Sequence, residues 1–339
     1  MNLPALCFGM LLLAFVQGGI PASGEIEEIP ELAPADPARA SELRELAPGG
    51  KFRWEMEVQP DGEKLLVGEL RFPSPRPSGD PVNDVVRATY FRPAARRDLP
   101  AAVVLHHSQD DFKLERAISR DLALAGVATL MLRLPWYGER RPPGTRTILA
   151  AERGLGGLES DFRQAAADAL RAVSWLRARK EVDSKRVGLV GISLGALVGS
   201  LAAGASGTLD RCVLVLGGGD LATILRSPVH ETSGVRTALE REKVEEAELR
   251  TRIERLDPLR FADRICGART LFVQASKDEI VPRVCSEKLI EAVSAKDGRP
   301  RVRWFDASHK SIVFSLPEVM QEVKQHFMPG AESKPATEK

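Results

Sequence analysis

One short tract constrains this chain more than any other. Residues Val187–Ile192 are a continuous apolar run, and Gly191-Ile192-Ser193-Leu194-Gly195 carries it into a stretch of small and apolar residues over 194–204. An apolar run of that length, bounded by turn residues, reads as a strand buried on both faces. The following stretch reads as a helix. Gly-x-Ser-x-Gly by itself recurs by chance. Between a buried strand and a helix it describes a sharp elbow that lifts one serine above the edge of a sheet. The glycines leave room where side chains would collide across the turn, and the helix N-terminus lends its positive end to the serine. The bland alternative is a glycine-rich turn whose serine only caps the helix.

The same reading extends along the chain. Ala101–His106, Val127–Leu132, Cys212–Leu216, Thr270–Gln274 and Val302–Phe305 repeat the buried-strand signature. Helical spacing is found over 114–125, 162–178, 194–204, 283–294 and 316–327. Strand–helix alternation of this kind implies an α/β fold, a mostly parallel central sheet flanked by helices. Residues 51–72 and 84–92 alternate with period two, as antiparallel strands do. The stretch 221–262 lacks a strand and is dense in Arg and Glu, and 235–256 reads as one long charged helix. It is expected as a small helical insertion, a cap over the sheet or a solvated excursion. Arg153 with glycines 154, 156 and 157 resembles a phosphate loop only superficially, because no strand precedes it, and reads as a flexible loop.

Lys and Arg number 48 against 47 Asp and Glu, a net charge of +1. No basic field exists to hold a phosphate backbone, so nucleic acid is not expected as a partner. Pro4–Val16 is an uncharged apolar run, too short to span a bilayer comfortably, and Ala22-Ser23-Gly24 is a plausible cleavage site. Residues 1–24 are therefore expected as a signal peptide of an exported protein, periplasmic or secreted, with no stable membrane span after cleavage. No Lys or Arg precedes the run, and an uncleaved membrane anchor is the alternative. Residues 25–50, with seven acids, two bases and four prolines, are expected as a flexible linker with one short helix. The main domain is expected over 51–328 and a disordered tail over 329–339. Of the four cysteines, Cys212 reads as a buried small hydrophobe. Cys266 and Cys285 could pair in an exported protein, though nothing in the sequence requires it.

A serine hydroxyl needs a base within hydrogen-bond reach, and the base needs an orienting acid. Of five histidines, His309 follows the last strand-like run and precedes the last helix, which puts it at the same edge of the sheet as Ser193. His230 and His326 are expected at the surface. Asp278 follows the strand Thr270–Gln274 and lies between Ser193 and His309 in the chain, which makes it the preferred acid over Glu279 and Asp306. Two N–H donors should hold a developing oxyanion: Leu194, directly after the serine, and Ser108, in the loop after Ala101–His106. Trp136 and Tyr137 are expected either to line the substrate pocket or to pack. No metal is expected, although His106, His107, Asp110 and Asp111 lie close in sequence, because neighbours on a strand point to opposite faces.

Over roughly 85–328 the chain resembles the α/β-hydrolase superfamily. Within it the likeness is to the group of dienelactone hydrolases, acetyl xylan esterases and prolyl-oligopeptidase-like proteins. The likeness rests on RATYFRP, AAVVLHH, LRLPWYGER, WLRARKEVDSKRVGLVGISLGA, LDPLRFADRI, SKDEIVP and His309. It implies the Ser193–Asp278–His309 triad and hydrolysis of small carboxylic esters through an acyl-enzyme, without a cofactor. A peptidase of the same fold and a silent binding protein are the alternatives. The chain departs from the group at His107, where relatives usually carry glycine, so the oxyanion loop is expected to be narrowed or reshaped there.

Overall fold

The computed structural model describes residues 23–28, 37–94, 96–148, 153–294 and 297–328. The apolar run at 4–16 and the tail at 329–339 lie outside them. Among the described residues ten strands form one sheet: β1 (Ser23–Glu28), β2 (Gly50–Asp61), β3 (Leu65–Pro73), β4 (Val85–Pro93), β5 (Leu99–Leu105), β6 (Ala128–Leu132), β7 (Val182–Ile192), β8 (Cys212–Val215), β9 (Thr270–Ala275) and β10 (Arg301–Phe305). Their spatial order is β1-β2-β3-β4-β6-β5-β7-β8-β9-β10. β1 to β4 pair antiparallel, and β4 joins β6 antiparallel; from β6 to β10 every pairing is parallel.

The helices are α1 (Pro37–Leu46), α2 (Lys113–Ala125), α3 (Gly154–Arg177), α4 (Leu194–Ser206), α5 (Leu221–Arg226), α6 (Ser233–Glu242), α7 (Glu246–Ile253), α8 (Arg283–Ser294) and α9 (Leu316–Phe327). One apolar core contains Trp175 of α3 and Leu201 of α4, the other Ile118 of α2 and Val323 of α9. The central strands β5, β6, β8 and β9 are buried at every position. That is why they read as continuous apolar runs rather than alternating ones.

Three local expectations are corrected. The acidic, proline-rich stretch 25–50 carries, besides the short helix expected there (α1), most of β1, which pairs with β2 in the sheet. Leu43 and Leu46 are buried, and Glu28 accepts from Arg171 of α3 at 2.7 Å with both side chains nearly inaccessible. Buried leucines and one paired carboxylate outweigh the solvating composition. Second, α3 begins at Gly154, so the glycine-rich segment is the helix's first turn. One of its otherwise unpartnered N–H groups, that of Leu155, donates to the Glu242 carboxylate. Third, the long charged helix at 235–256 is broken. Lys243 takes a left-handed conformation (φ 53°), and Val244 N–H closes the α6 terminus on Leu239 O at 2.9 Å. The break turns Val235 and Leu239 of α6, and Leu249 and Ile253 of α7, all inward.

Candidate active site

Ser193 sits between β7 and α4 with φ 52° and ψ −112°, a conformation that non-glycine residues rarely adopt. Such strain costs on the order of 1–3 kcal/mol and concentrates at functional sites. The surroundings hold it in place. Ser193 N–H donates to Val215 O of β8 at 2.8 Å. A Cβ on Gly191 would lie 2.3 Å from Gly195 O, and one on Gly195 would lie 2.3 Å from Leu105 O. The turn is therefore pressed against its own backbone and against the end of β5, and glycine is required at both positions.

The loops after β9 and β10 bring the other two residues to the serine. His309 Nε2 lies 2.9 Å from Ser193 Oγ. His309 Nδ1 lies 2.8 Å from Asp278 Oδ2 and 2.9 Å from Oδ1. All three side chains are buried. Asp278 Oδ1 also accepts from the N–H groups of Ile280 (2.9 Å) and Val281 (2.8 Å), which fixes the carboxylate's rotamer. The competing acids are engaged elsewhere. Glu279 accepts from the backbone N–H of His309 at 3.0 Å, anchoring the loop rather than the ring. Asp306 is exposed and pairs with Lys277 at 2.8 Å.

Leu194 is the first residue of α4, where N–H groups have no partner within the helix. On the facing loop, His107 N–H is already given to Glu115 Oε1 at 3.0 Å, which leaves Ser108 as the next donor along. The same carboxylate oxygen meets His107 Nδ1 at 2.7 Å. Burial works against charging His107, but the Glu115 carboxylate outweighs it and holds the imidazole above its ordinary value. Glu115 is likewise pushed up by burial and pulled below its ordinary value by His107. The pair therefore favours imidazolium and carboxylate, and it ties the loop to α2 at His107. Sequence reading missed Glu115. Its signal was present: Glu115 shares the buried face of α2 with Ile118, Ser119 and Leu122, a carboxylate inside an apolar stripe.

Trp136 and Tyr137 do not line the cavity over Ser193; they pack beneath the loop. Trp136 Nε1 donates to Asp161 at 2.7 Å, and Arg153 stacks on its ring at 3.9 Å. Tyr137 packs edge-on against His106, with ring centroids 4.8 Å apart. His106 is fully buried, and its Nε2 accepts from Leu134 N–H at 3.0 Å. Burial pushes its imidazole down to about 4. His326, expected at the surface, is also buried and bonds Arg269 O at 2.9 Å; burial lowers it to about 4. His230 is exposed. Asp110 accepts from Gly138 N–H and pairs with Arg141. Cys212, Cys266 and Cys285 are free thiols.

A cavity of about 610 Å³ opens over Ser193 and His309, with His107 and Ser108 on its wall. The helical insertion reaches it: Ile224, Leu225, Glu231 and Thr232 line one side. Glu231 is tied to Lys310, the neighbour of His309, at 2.7 Å. The insertion thus forms part of the cavity wall and meets the loop that carries His309. No described helix is long and apolar enough to cross a membrane.

No protein-family model and no curated protein sequence matches the chain. Solved structures do. An acetyl xylan esterase from Paenibacillus sp. is 18% identical with a TM-score of 0.67, covering 87% of this chain and 96% of its own. Acetyl xylan esterase 1 from Thermoanaerobacterium sp. is 17% identical with a TM-score of 0.64, covering 88% and 96%. An esterase from Pyrobaculum calidifontis is 14% identical with a TM-score of 0.52, covering 86% and 89%. At this identity the likeness is one of fold.

Proposed function

We propose that this chain, which has the α/β-hydrolase fold, is a serine hydrolase of small carboxylic esters. The observation that carries the reading is the unbroken chain of hydrogen bonds from Ser193 through His309 to Asp278, set at a strained elbow on the floor of a cavity. Acetyl xylan esterases and an esterase among the structures of similar fold agree with it.

In this reading His309 Nε2 takes the proton of Ser193 Oγ as that oxygen attacks the ester carbonyl. Asp278 holds the Nδ1–H tautomer and stabilises the imidazolium that forms. The N–H groups of Leu194 and Ser108 receive the oxyanion; losing one such donor typically costs about 10²–10³ in rate. His309 then returns the proton to the departing alcohol. Water, deprotonated by the same imidazole, cleaves the acyl-enzyme. No step calls for a cofactor. Hydrolysis of p-nitrophenyl acetate by wild type and by Ser193→Ala, beside a panel of peptide amides, tests the reading. Ester turnover lost in the variant, with amides untouched, is the expected result. Amide turnover exceeding ester turnover would replace the reading with a peptidase.

We also propose export through the apolar leader, with the cut no later than Ala22. Ser23 and Gly24 pair with Glu55 and Trp54 of β2, so a cut after Gly24 would remove the start of β1. The N-terminal residue of the mature exported protein decides the point.

A further inference from the structure

The cavity over Ser193 is far larger than an acetyl group needs, and its walls are unusually plain. At about 30 Å³ per water-sized group, 610 Å³ holds roughly twenty non-hydrogen atoms. An acetyl group has three. Sixteen of the 26 lining residues are aliphatic, and none is Phe, Tyr or Trp. They come from separate parts of the chain: Leu114 and Ile118 from α2, Leu194 and Leu197 from α4, Ile224 and Leu225 from α5, Ile312 and Leu316 from the segment after His309. Convergence from so many parts of the chain is a built surface, not the by-product of one helix.

Several of the polar residues on the wall are paired within the protein. Glu231 pairs with Lys310 at 2.7 Å and Asp111 with Lys113 at 3.8 Å. His107 pairs with Glu115, and Thr232 Oγ1 donates to Ser227 O. Against the aliphatic part of this wall, a substrate rich in hydroxyls or carrying a charge would leave its polar groups unpaired, which is costly. An aliphatic chain loses nothing there and gains by leaving water. The lip is apolar as well: Val313 is 53% exposed, and Phe314 beside it is 87% exposed.

We propose that this cavity binds an uncharged aliphatic chain of roughly six to ten carbons, carried on the acyl or the alcohol side of the ester. The inference rests on the serine-esterase reading for the bond that is cleaved. The chemistry of the chain follows from the cavity alone. Each methylene buried is worth about fourfold, the equivalent of about 0.8 kcal/mol.

The test is kcat/KM for the full chain on p-nitrophenyl esters from acetate to decanoate, and on ethyl against octyl acetate. A rise of at least thirtyfold from the two-carbon to the eight-carbon member is expected in one series, and that series identifies the side. A maximum at two carbons in both series overturns the inference. Ala117→Trp and Val313→Glu alter wall positions that are partly open to solvent, so the fold tolerates them. Each should lower the octanoate-to-acetate ratio at least fivefold, and an unchanged ratio in both overturns the inference. Calorimetric binding of octyl and ethyl acetate to Ser193→Ala separates the two readings. If no ester of any length is hydrolysed by wild type and the octyl ester still binds at least thirtyfold tighter, the esterase reading has failed and the cavity inference stands.

Discussion

Replacing Gly195 with alanine adds one methyl group at the point where the serine elbow touches the loop that should hold the oxyanion. The new Cβ would lie 2.3 Å from Leu105 O, 2.6 Å from Leu105 C and 2.8 Å from His106 O, all backbone atoms. Ordinary contact begins at 3.4 Å, so the end of β5 and the start of α4 must separate by about 1 Å (3.4 − 2.3). Leu105 and His106 lead directly into His107 and Ser108, so the displacement moves one oxyanion donor relative to the other. A misplacement of that size costs about 10²-fold in rate, and overpacking of this kind costs about 1–3 kcal/mol of stability. Gly199→Ala is the matched control. Its Cβ meets Leu189 Cδ2 at 2.6 Å, the end of a side chain that can rotate away. Steady-state kinetics on p-nitrophenyl esters should show Gly195→Ala down about a hundredfold and Gly199→Ala close to wild type, with thermal melts recording the stability of both. Gly195→Ala within threefold of wild-type kcat/KM would refute the argument that this contact sets the oxyanion geometry.

Three further outcomes follow from the same structure. His107→Gly strands the buried Glu115 carboxylate and should cost about 3–5 kcal/mol in urea unfolding; His107→Gly with Glu115→Gln should recover most of it, and no recovery would mean the pair is not the cause. Ser193→Gly should abolish turnover yet raise stability by about 1 kcal/mol, because glycine adopts φ 52° without strain; a loss of stability would argue against strain at the elbow. His106 and His326, both lowered to about 4, stay neutral in the folded chain while the unfolded chain takes up protons below about 6.5, so stability should fall from pH 6.5 towards 4. His326→Gln, which can still donate to Arg269 O, should lessen the drop between pH 7 and 5 by about 2 kcal/mol, and an unaltered slope would refute His326 as a contributor.

The central sheet was legible because buried parallel strands leave continuous apolar runs, and Val187–Ile192 and Thr270–Gln274 fall on β7 and β9. Ser193, His309 and Asp278 were legible because each follows such a run in a fixed chain order. What escaped reading was decided by contacts between distant residues. Nothing local in Glu28 announces Arg171, 143 positions away, and so β1 read as linker. The break at Lys243 is imposed by the inward packing of Leu239 and Leu249, which a continuous charge pattern hides. For Trp136 the sequence left pocket-lining and packing open; its indole is held by Asp161 and Arg153, contacts that no local pattern announces. Glu115 alone left a readable trace, as a carboxylate on the apolar face of α2.

Ser193 as a nucleophile activated by His309 is the centre of the proposed chemistry. The most direct measurement is peptide mass analysis after treating the folded protein with a fluorophosphonate that phosphonylates activated serines. A single stoichiometric adduct on the peptide containing Ser193, absent in His309→Ala, is predicted. A folded protein left unlabelled, or labelled on a different serine, would contradict the account.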